Sequence, residues 1–281
     1  MGAGICGLAE GKGVTSKSIT YLHCVRDAEL EEALAWLPPP ASGARILDLG
    51  AGTGRQADRL AAMGYQVTAV DLPSSAYAGQ RVHPVIDYDG KCLPICDSSV
   101  DVVFSSNVLE HVPAVEALLR ETARVLVPGG HAVHILPTPA WRWWTSATHY
   151  PWMASRLLGR LASKAAGGAS EKHSVGTGGP NLAWPTRHGE RGNALTEAWY
   201  FSGRWWRACF KRAGFDLEAS APVGLAYSGT MLLGGRLPIS WRRRIARFAG
   251  SSCRIYVIRP HREAGSAQPV SGESASSRID Q

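Results

Sequence analysis

Short apolar runs alternate with amphipathic stretches through the first half of the chain. Five such runs predict short strands, and their apolar character is typical of strands that are buried in a parallel sheet. These runs are "ARILDLG" (44–50), "YQVTAVD" (65–71), "RVHPVI" (81–86), "VDVVFSS" (100–106) and "HAVHILP" (131–137). Helical spacing of apolar residues predicts helices over 24–37, 55–64 and 113–126. The alternation predicts an α/β fold with a doubly wound, mostly parallel sheet of the Rossmann type.

The regular alternation ends after residue 137. The next segment is rich in Trp, Gly, Pro and Arg, with one helical stretch over 152–166. A helix over 202–214 and strands over 215–223 and 253–260 follow. We therefore predict five parts of the chain. They are a flexible arm (1–23), a core (24–137), an inserted basic, Trp-rich cap (138–198), the C-terminal part of the core (199–260) and a disordered tail (261–281).

A glycine-rich turn, "DLGAGTG" (48–54), lies at the end of the first predicted strand. Turns that bind dinucleotides have the pattern G-x-G-x-x-G and place a pyrophosphate at the start of the next helix. Here the pattern is G-x-G-x-G, from Gly50 to Gly54, and Asp48 stands two residues before the first glycine. A carboxylate at that place would repel a pyrophosphate, but it suits a ligand that carries an ammonium group. The turn therefore favours a cationic ligand.

These segments resemble the class I S-adenosylmethionine-dependent methyltransferases, in particular the type 11 group. An acidic residue followed by G-x-G-x-G matches the family's opening pattern at 48–54. Three further matches follow in the family's order: "VTAVD" (67–71), "YDGKCLPICDSSVDVVFSSNVLEHV" (88–112) and "RVLVPGGHAVHILP" (124–137). The resemblance covers about a third of the chain, roughly residues 44–137. It implies a seven-stranded sheet, methyl transfer as the activity and S-adenosylmethionine as the cofactor.

The resemblance also implies which residues hold the two polar ends of the cofactor. The turn would hold its amino-acid end through Asp48, Gly50, Ala51, Gly52 and Gly54. Glycine at such positions lets the backbone approach a ligand without a Cβ atom in the way. At the end of the second predicted strand, Asp71, followed by Leu72, would accept hydrogen bonds from both ribose hydroxyls.

By the same resemblance, three later residues would contact the remainder of the cofactor. Asp89 would hold the adenine amino group, and the N–H of Gly90 would face the adenine ring. Asp87 could take the role of Asp89, which could instead form an ordinary Asp-Gly turn. Asn107, after the fourth predicted strand, would meet the methionine part, unless it serves as a helix N-cap.

Methyl transfer from a sulfonium needs chiefly an acceptor held in line with the methyl group. A hydroxyl acceptor also benefits from a general base. His188 is the first candidate for this base, with Glu190 close to it in the sequence and His111 as a further candidate. His134 is expected to be a buried core histidine. The carboxylates, histidines and six scattered cysteines show no ligand spacing, so no metal is predicted.

Charge is distributed unevenly along the chain. Residues 1–140 carry 10 Lys/Arg against 15 Asp/Glu, whereas 141–260 carry 18 against 5 and contain nine of the ten tryptophans. This half suits an anionic acceptor, such as a glycan on a phosphate carrier, or an anionic membrane surface. Nucleic acid is the least favoured partner, because no RNA-binding module is visible. Alternatively, the tryptophans pack a cap and the arginines are merely solvated.

The function predicted from these features is methyl transfer to a hydroxyl or amine of an anionic glycan, free or lipid-linked, or of a small metabolite. The stretch 188–215 resembles the cap region of methyltransferases from bacterial cell-surface polysaccharide pathways. The chain has no 18-residue apolar run, so no membrane span is predicted. Six scattered cysteines favour free thiols in a reducing cytoplasm, with peripheral contact at the inner face of a membrane as a further option. Two alternatives stay open: a non-catalytic cofactor-binding partner subunit, and a nicotinamide-dependent oxidoreductase on the same fold. The sequence leaves the oligomeric state open.

Overall fold

The computed structural model describes residues 16–165, 187–193, 195–229 and 236–261. Seven strands form one sheet in the order β3-β2-β1-β4-β5-β7-β6. They are β1 (Arg45–Leu49), β2 (Gln66–Asp71), β3 (Val85–Asp87), β4 (Val100–Ser106), β5 (Leu126–Pro137), β6 (Phe215–Pro222) and β7 (Cys253–Pro260). Strands β1 to β5 are parallel, and β7 runs antiparallel to both β5 and β6. The predicted doubly wound, mostly parallel sheet of seven strands is confirmed.

Helices connect the strands and cover the sheet. They are α1 (Ser16–Ala33), α2 (Arg55–Ala62), α3 (Val115–Val125), α4 (Pro139–Ala165), α5 (Glu197–Tyr200), α6 (Gly203–Arg212) and α7 (Ile239–Ala249). Their ends follow local rules. Gly64 and Gly214 follow α2 and α6 with φ of +102° and +84°, a backbone conformation that glycine adopts without strain. At the start of α6, the hydroxyl of Ser202 accepts a hydrogen bond from the N–H of Trp205.

The core consists of two clusters of buried apolar side chains. Alternation along the strands separates them, because successive side chains of a strand point to opposite faces of the sheet. In β1, Leu47 belongs to the cluster that includes Trp206 and Phe210 of α6. Its neighbour Ile46 belongs to the other cluster, with Leu30 of α1. Each fully buried side chain of this size contributes roughly 1.5–3 kcal/mol relative to an exposed one.

Two predicted boundaries differ from the structure. Helix α1 already includes 16–23, which were assigned to a flexible arm, and α4 begins at Pro139, where an irregular cap was expected. Within α4, Trp141, Thr145 and His149 recur every four residues and are buried, so the Trp-rich composition concealed a helical period. The predictions for 1–15, 166–186 and 262–281 lie outside the described residues.

The topology brings the turns and loops after β1, β2, β4 and β5 to one edge of the sheet. These strands are mutually parallel, so their carboxyl ends share that edge. In such sheets this edge is where ligands bind. The predicted cofactor residues from 48 to 107 lie at the ends of β1, β2, β4 and the parallel strand β3, or in the segments that follow them.

Candidate cofactor and acceptor site

The glycine-rich turn after β1 has the backbone that its sequence predicts. Its three glycines, Gly50, Gly52 and Gly54, have φ of +73°, +58° and +73°. Residues that carry a side chain rarely adopt such φ angles, so glycine is required for this backbone conformation. The N–H groups of Gly50 and Ala51 both donate to the carbonyl of Val70, at 2.8 and 3.0 Å. These bonds fix the turn against the end of β2.

Two of these glycines also allow close packing of the neighbouring loops. A Cβ atom on Gly50 would lie 2.5 Å from the side chain of Val108. A Cβ atom on Gly54 would lie 2.8 Å from Cβ of His83. Real Cβ atoms do not approach other atoms so closely, so the loop after β4 and the segment before β3 can reach the turn only because glycines stand there. The turn is therefore enclosed by other loops of the same edge.

Asp71 lies beside the turn, as the ribose role requires. Its Oδ2 accepts a hydrogen bond from the N–H of Gly52 at 3.0 Å, and its Oδ1 accepts one from the N–H of Leu72 at 2.8 Å. Each carboxylate oxygen has further lone pairs, so both can accept a second hydrogen bond from a diol. Leu72 in turn adjoins Gly90, where a Cβ atom would be 3.0 Å from the leucine Cδ2. The ribose and adenine candidates are thus adjacent.

Asp48 is a buried carboxylate, only 1 % exposed. Its Oδ2 has no hydrogen-bond partner in the described part of the chain. Burial raises the pKa of Asp48 to about 7, the charge of Asp71 adds to this effect, and a hydrogen bond from the N–H of Ala57 opposes it. A cationic group bound nearby would favour the ionised form of this acid. An unsatisfied buried oxygen of this kind fits the ammonium-bearing ligand that the sequence predicts.

The adenine role of Asp89 receives less support from the geometry. Its Oδ1 accepts hydrogen bonds from the N–H groups of Lys91 and Cys92, at 2.8 and 3.0 Å, and these bonds lower the pKa of Asp89. It therefore closes its own turn, as the alternative prediction states. Asp87 is paired with Arg81 at 2.6 Å. Contact of Asp89 with adenine stays a prediction, and it would use Oδ2.

Asn107 has a strained backbone, with φ of +56°. Its side chain does not cap a helix: the amide donates to Ser106 Oγ at 3.3 Å, and Oδ1 accepts from the Cys253 thiol at 3.3 Å. The N-cap alternative is therefore wrong, because Val108 precedes the short helical turn Leu109–His111. Strained residues of this kind concentrate at functional sites. Its predicted contact with the methionine part remains a prediction.

Helix α1 contributes polar groups to the same edge that the sequence did not reveal. Glu29 is fully buried and accepts hydrogen bonds from Arg26 at 2.6 Å, Tyr227 at 2.5 Å and Ser106 at 3.3 Å. These partners come from α1, the segment after β6 and the end of β4. Their separation along the chain left no local spacing from which the network could have been predicted.

Two of the three predicted catalytic residues meet across the fold. The rings of His111 and His188 have centroids 4.5 Å apart. Between them lies Glu110, whose Oε1 is 3.8 Å from His111 Nε2 and 3.9 Å from His188 Nε2. The third predicted residue, Glu190, has its carboxylate 3.8 Å from Arg187 instead. The acid beside the histidines is therefore Glu110, which the sequence analysis did not single out.

Burial shifts the protonation of this cluster. Burial raises the pKa of Glu110 to about 8, and both its carboxylate oxygens lack hydrogen-bond partners among the described residues. Burial and the charge of Arg26 lower the pKa of His111 to about 4. Burial, His111 and Arg26 lower the pKa of His188 well below its ordinary value. Both imidazoles are therefore neutral near pH 7, with lone pairs available for a proton or another cation.

A buried ion pair holds His188 in place. Oε1 of Glu197 accepts hydrogen bonds from the N–H groups of His188 and Gly189, each at 2.6 Å. Its Oε2 accepts one from Arg142 of α4 at 3.0 Å, and both members of this pair are buried. The loop that carries His188 is thus fixed between α4 and α5.

The same loop is also bound directly to the segment after β4. The N–H of Glu190 donates to the carbonyl of Glu110 at 2.9 Å. A Cβ atom on Gly189 would lie 2.9 Å from that carbonyl oxygen, so only glycine allows this approach. Arg191 donates to the carbonyls of Val112 and Pro113, at 2.6 and 2.8 Å. Contact between distant segments here depends on backbone bonds, which the sequence alone could not indicate.

Known proteins share the first part of this arrangement. Residues 47–134 match a family model described as a methyltransferase domain. The chain is 37% identical over 123 residues to the biotin biosynthesis bifunctional protein BioHC of Cellvibrio japonicus. It is 36% identical over 118 residues to a ubiquinone biosynthesis O-methyltransferase of Xanthomonas axonopodis pv. citri. These matches cover 42% and 39% of this chain, but only 24% and 48% of the two relatives.

The fold is similar to that of solved methyltransferases over most of its length. An S-adenosylmethionine dependent methyltransferase from Mesorhizobium loti has a TM-score of 0.51 and 19% identity, covering 83% of this chain and 97% of the other. The glycine turn, the unsatisfied oxygen of Asp48 and the position of Asp71 fit the cofactor that this family uses. Residues 47–134 therefore match the methyltransferase domain family, and the chain has the fold of S-adenosylmethionine-dependent methyltransferases.

Proposed function

We propose that this chain transfers a methyl group from S-adenosylmethionine to an acceptor hydroxyl. The observation that carries the proposal is that one loop joins the glycine turn, where the cofactor would bind, to the histidine cluster. Val108 lies against Gly50 of the glycine turn, and Glu110 and His111 follow it directly in the chain. The loop after β4 thus connects the cofactor turn to the histidine cluster. Cofactor and acceptor would meet along this loop.

The residues of this chain would divide the work between binding and positioning. S-adenosylmethionine supplies an activated methyl group when it is bound. Asp71 would hold the ribose, and the turn with Asp48 would hold the amino-acid end. On the acceptor side, His188 and His111 would stand within reach of the hydroxyl proton. Trp141 packs against His188 with ring centroids 4.3 Å apart and would keep water away from that histidine.

A hydroxyl acceptor on an anionic molecule fits the chain better than an amine. One relative, matched over about half of its length, is named as a ubiquinone biosynthesis O-methyltransferase, and this name supports oxygen as the methylated atom. The excess of arginine over acidic residues in 141–260 supports an acceptor with phosphate or carboxylate groups. A glycan on a lipid-linked phosphate carrier, as in polysaccharide biosynthesis, meets both requirements.

Ligand-dependent thermal unfolding tests the cofactor assignment. At about 100 times its Kd, S-adenosylhomocysteine should raise the free energy of unfolding by roughly 2.7 kcal/mol, with a matching rise in Tm. NAD at the same concentration is the control and should leave the Tm unchanged. A shift with NAD alone would favour the oxidoreductase alternative. Tight binding of S-adenosylhomocysteine without methylation of any acceptor in a membrane extract would favour the non-catalytic alternative.

Helix α7 presents a cationic and aromatic outer surface, which supports peripheral contact with an anionic membrane. Trp241 and Phe248, seven residues apart, are 53% and 94% exposed, and the guanidinium of Arg244 lies 5.2 Å from the Trp241 ring centroid. Arg242 anchors the opposite face, since it is buried and donates to the carbonyls of Leu237 and Ala226 at 3.1 Å. Such a surface suits lipid headgroups. Among the described helices, none is both long and apolar enough to span a bilayer.

Vesicle sedimentation tests this contact. The chain should bind vesicles that contain phosphatidylglycerol more tightly than pure phosphatidylcholine vesicles. Binding should weaken in 0.5 M salt, where the Debye length is about 4 Å. The double variant Trp241→Ala, Phe248→Ala should lose most of this binding. Trp143→Ala is the matched control, because Trp143 is 62% exposed but belongs to α4 and not to the outer surface of α7. Equal loss in the control, or salt-independent binding, would contradict the proposal.

A further inference from the structure

Three side chains of the kinds that bind metal ions converge at the histidine cluster. Glu110, His111 and His188 offer one oxygen and two nitrogens, and these three atoms all lie within 4.8 Å of one another. Two histidines and one carboxylate form a common ligand set of open zinc sites. In a tetrahedral site with bonds of about 2.1 Å, donor atoms are roughly 3.4 Å apart. The two separations from Glu110, 3.8 and 3.9 Å, require shifts of a few tenths of an ångström, and the two histidine nitrogens, which lie within 4.8 Å of each other, require a shift of up to about 1.4 Å.

In the part of the chain that the structure describes, Glu110 also lacks a partner that would compensate its charge, in contrast to its buried neighbours. Two other buried carboxylates nearby have arginine partners: Glu29 pairs with Arg26 at 2.6 Å and Glu197 with Arg142 at 3.0 Å. Glu110, by contrast, contacts only histidines in the ion pairs of the described residues. It is 2% exposed, and its two oxygens have no hydrogen-bond partner there. A buried carboxylate left in this state is costly unless a cation or a proton compensates it.

We propose that Glu110, His111 and His188 bind one divalent transition-metal cation of the zinc type. Imidazole nitrogen selects such ions over Mg²⁺ and Ca²⁺, which prefer oxygen ligands. The histidine side chains remain 14% and 18% exposed, whereas that of Glu110 is 1% exposed. The cation would therefore be held from the buried side and would keep an open coordination position toward the solvent side.

This open position gives the site a role in the reaction, and that role rests on the proposed function. An acceptor hydroxyl bound there would ionise more readily, because a cation stabilises the alkoxide. The acceptor O–H bond would break and its proton would pass to solvent. The oxygen would then form the new O–CH₃ bond as the S–CH₃ bond of the sulfonium breaks, and its electron pair would stay on the sulfur of the neutral thioether product. The two histidines would then act as ligands and not as the general base.

No local motif indicates this site, because its ligands are far apart in the chain. Glu110 and His111 are adjacent, but His188 follows them only after 76 intervening residues. A search for ligand spacing detects sites that lie within one local motif. Backbone bonds of the 187–193 loop bring His188 to the other two residues, and these bonds depend on the fold.

Metal titration of the full chain tests the proposal. After removal of metals with a chelator, one equivalent of Co²⁺ per chain should bind and give the visible absorption of a nitrogen- and oxygen-ligated site. Zn²⁺ should displace it and raise the Tm. The variants Glu110→Gln and His188→Ala should bind Co²⁺ at least about 100-fold more weakly. The matched control is His261→Ala, because His261 is exposed and pairs with Asp216 at 2.7 Å.

Metal binding and methyl transfer are tested by separate outcomes. Unchanged Co²⁺ affinity in Glu110→Gln, with the variant folded by circular dichroism, would overturn the site. Absence of stoichiometric binding by the unmodified chain would do the same, and would leave Glu110 as a protonated buried acid. Methyl transfer that persists fully in metal-free enzyme would remove the role in the reaction while the proposed function stands. If the chain binds metal but transfers no methyl group in the absence of chelator, the result would count against the proposed function alone.

Discussion

Asp71→Ala should weaken binding of S-adenosylhomocysteine by at least about 100-fold in isothermal titration calorimetry. The carboxylate would accept two hydrogen bonds from the ribose, and each bond to a charged group is worth about 1.5–3 kcal/mol. The variant also loses the bonds to the N–H groups of Gly52 and Leu72, so the turn is less well fixed before the ligand arrives. Asp71 is partly exposed, and we expect the fold to persist.

A ligand analogue separates the direct ribose contact from the effect on the turn. The unmodified chain should bind the 2′-deoxy form of S-adenosylhomocysteine more weakly than S-adenosylhomocysteine itself. Asp71→Ala should bind the two compounds with nearly equal affinity. Asp101→Ala is the matched control, since Asp101 is also partly exposed and pairs with the exposed Arg45 near the opposite ends of the strands. An unchanged Kd in Asp71→Ala, or equal sensitivity to the missing hydroxyl in both proteins, would refute the ribose assignment.

Local patterns explain how much of the fold could be predicted. Apolar periodicity is a property of a few neighbouring residues, so β7 was predicted with its observed bounds, 253–260. The start of α4 was missed because tryptophan and threonine have modest helix propensity, and tertiary burial of Trp141 and Thr145 outweighs it. The early start of α1, at Ser16, was missed because apolar and polar residues are not clearly separated onto two faces of this helix.

The site was predictable only where the chain itself brings residues together. The glycine turn lies within one stretch of seven residues, and its backbone angles follow from the glycines. The position of Asp71 at the end of β2, beside the turn, follows from the alignment of adjacent parallel strands, and its ribose role stays a prediction. Glu110 and the Arg142–Glu197 pair could not be found in this way. Their partners come from separate segments. Glu190 was singled out because it is close to His188 in the sequence, whereas Glu110 lies far from His188 along the chain.

Glu197→Ala should destabilise the chain by about 3–5 kcal/mol in urea unfolding, because it breaks a buried ion pair with Arg142 and removes the acceptor of the His188 and Gly189 N–H groups. Burial raises the pKa of Glu197 and lowers that of Arg142, so the intact pair gains little over two apolar groups, while a single removal is expensive. Glu218→Ala is the matched control. Glu218 pairs with Arg259 at the surface at 2.6 Å, and the loss there should be about 1 kcal/mol or less.

A double variant separates the stability of this pair from its effect on His188. Glu197→Leu combined with Arg142→Met removes both charges and should recover much of the stability that the single variant loses. It cannot restore an acceptor for the N–H groups of His188 and Gly189, whose bonds to Glu197 orient the loop. Methyl transfer should therefore stay at least about tenfold below that of the unmodified chain, since loss of an orienting partner typically costs 10–100-fold. If turnover recovers together with stability, Glu197 serves only the fold, and His188 does not depend on it for its position.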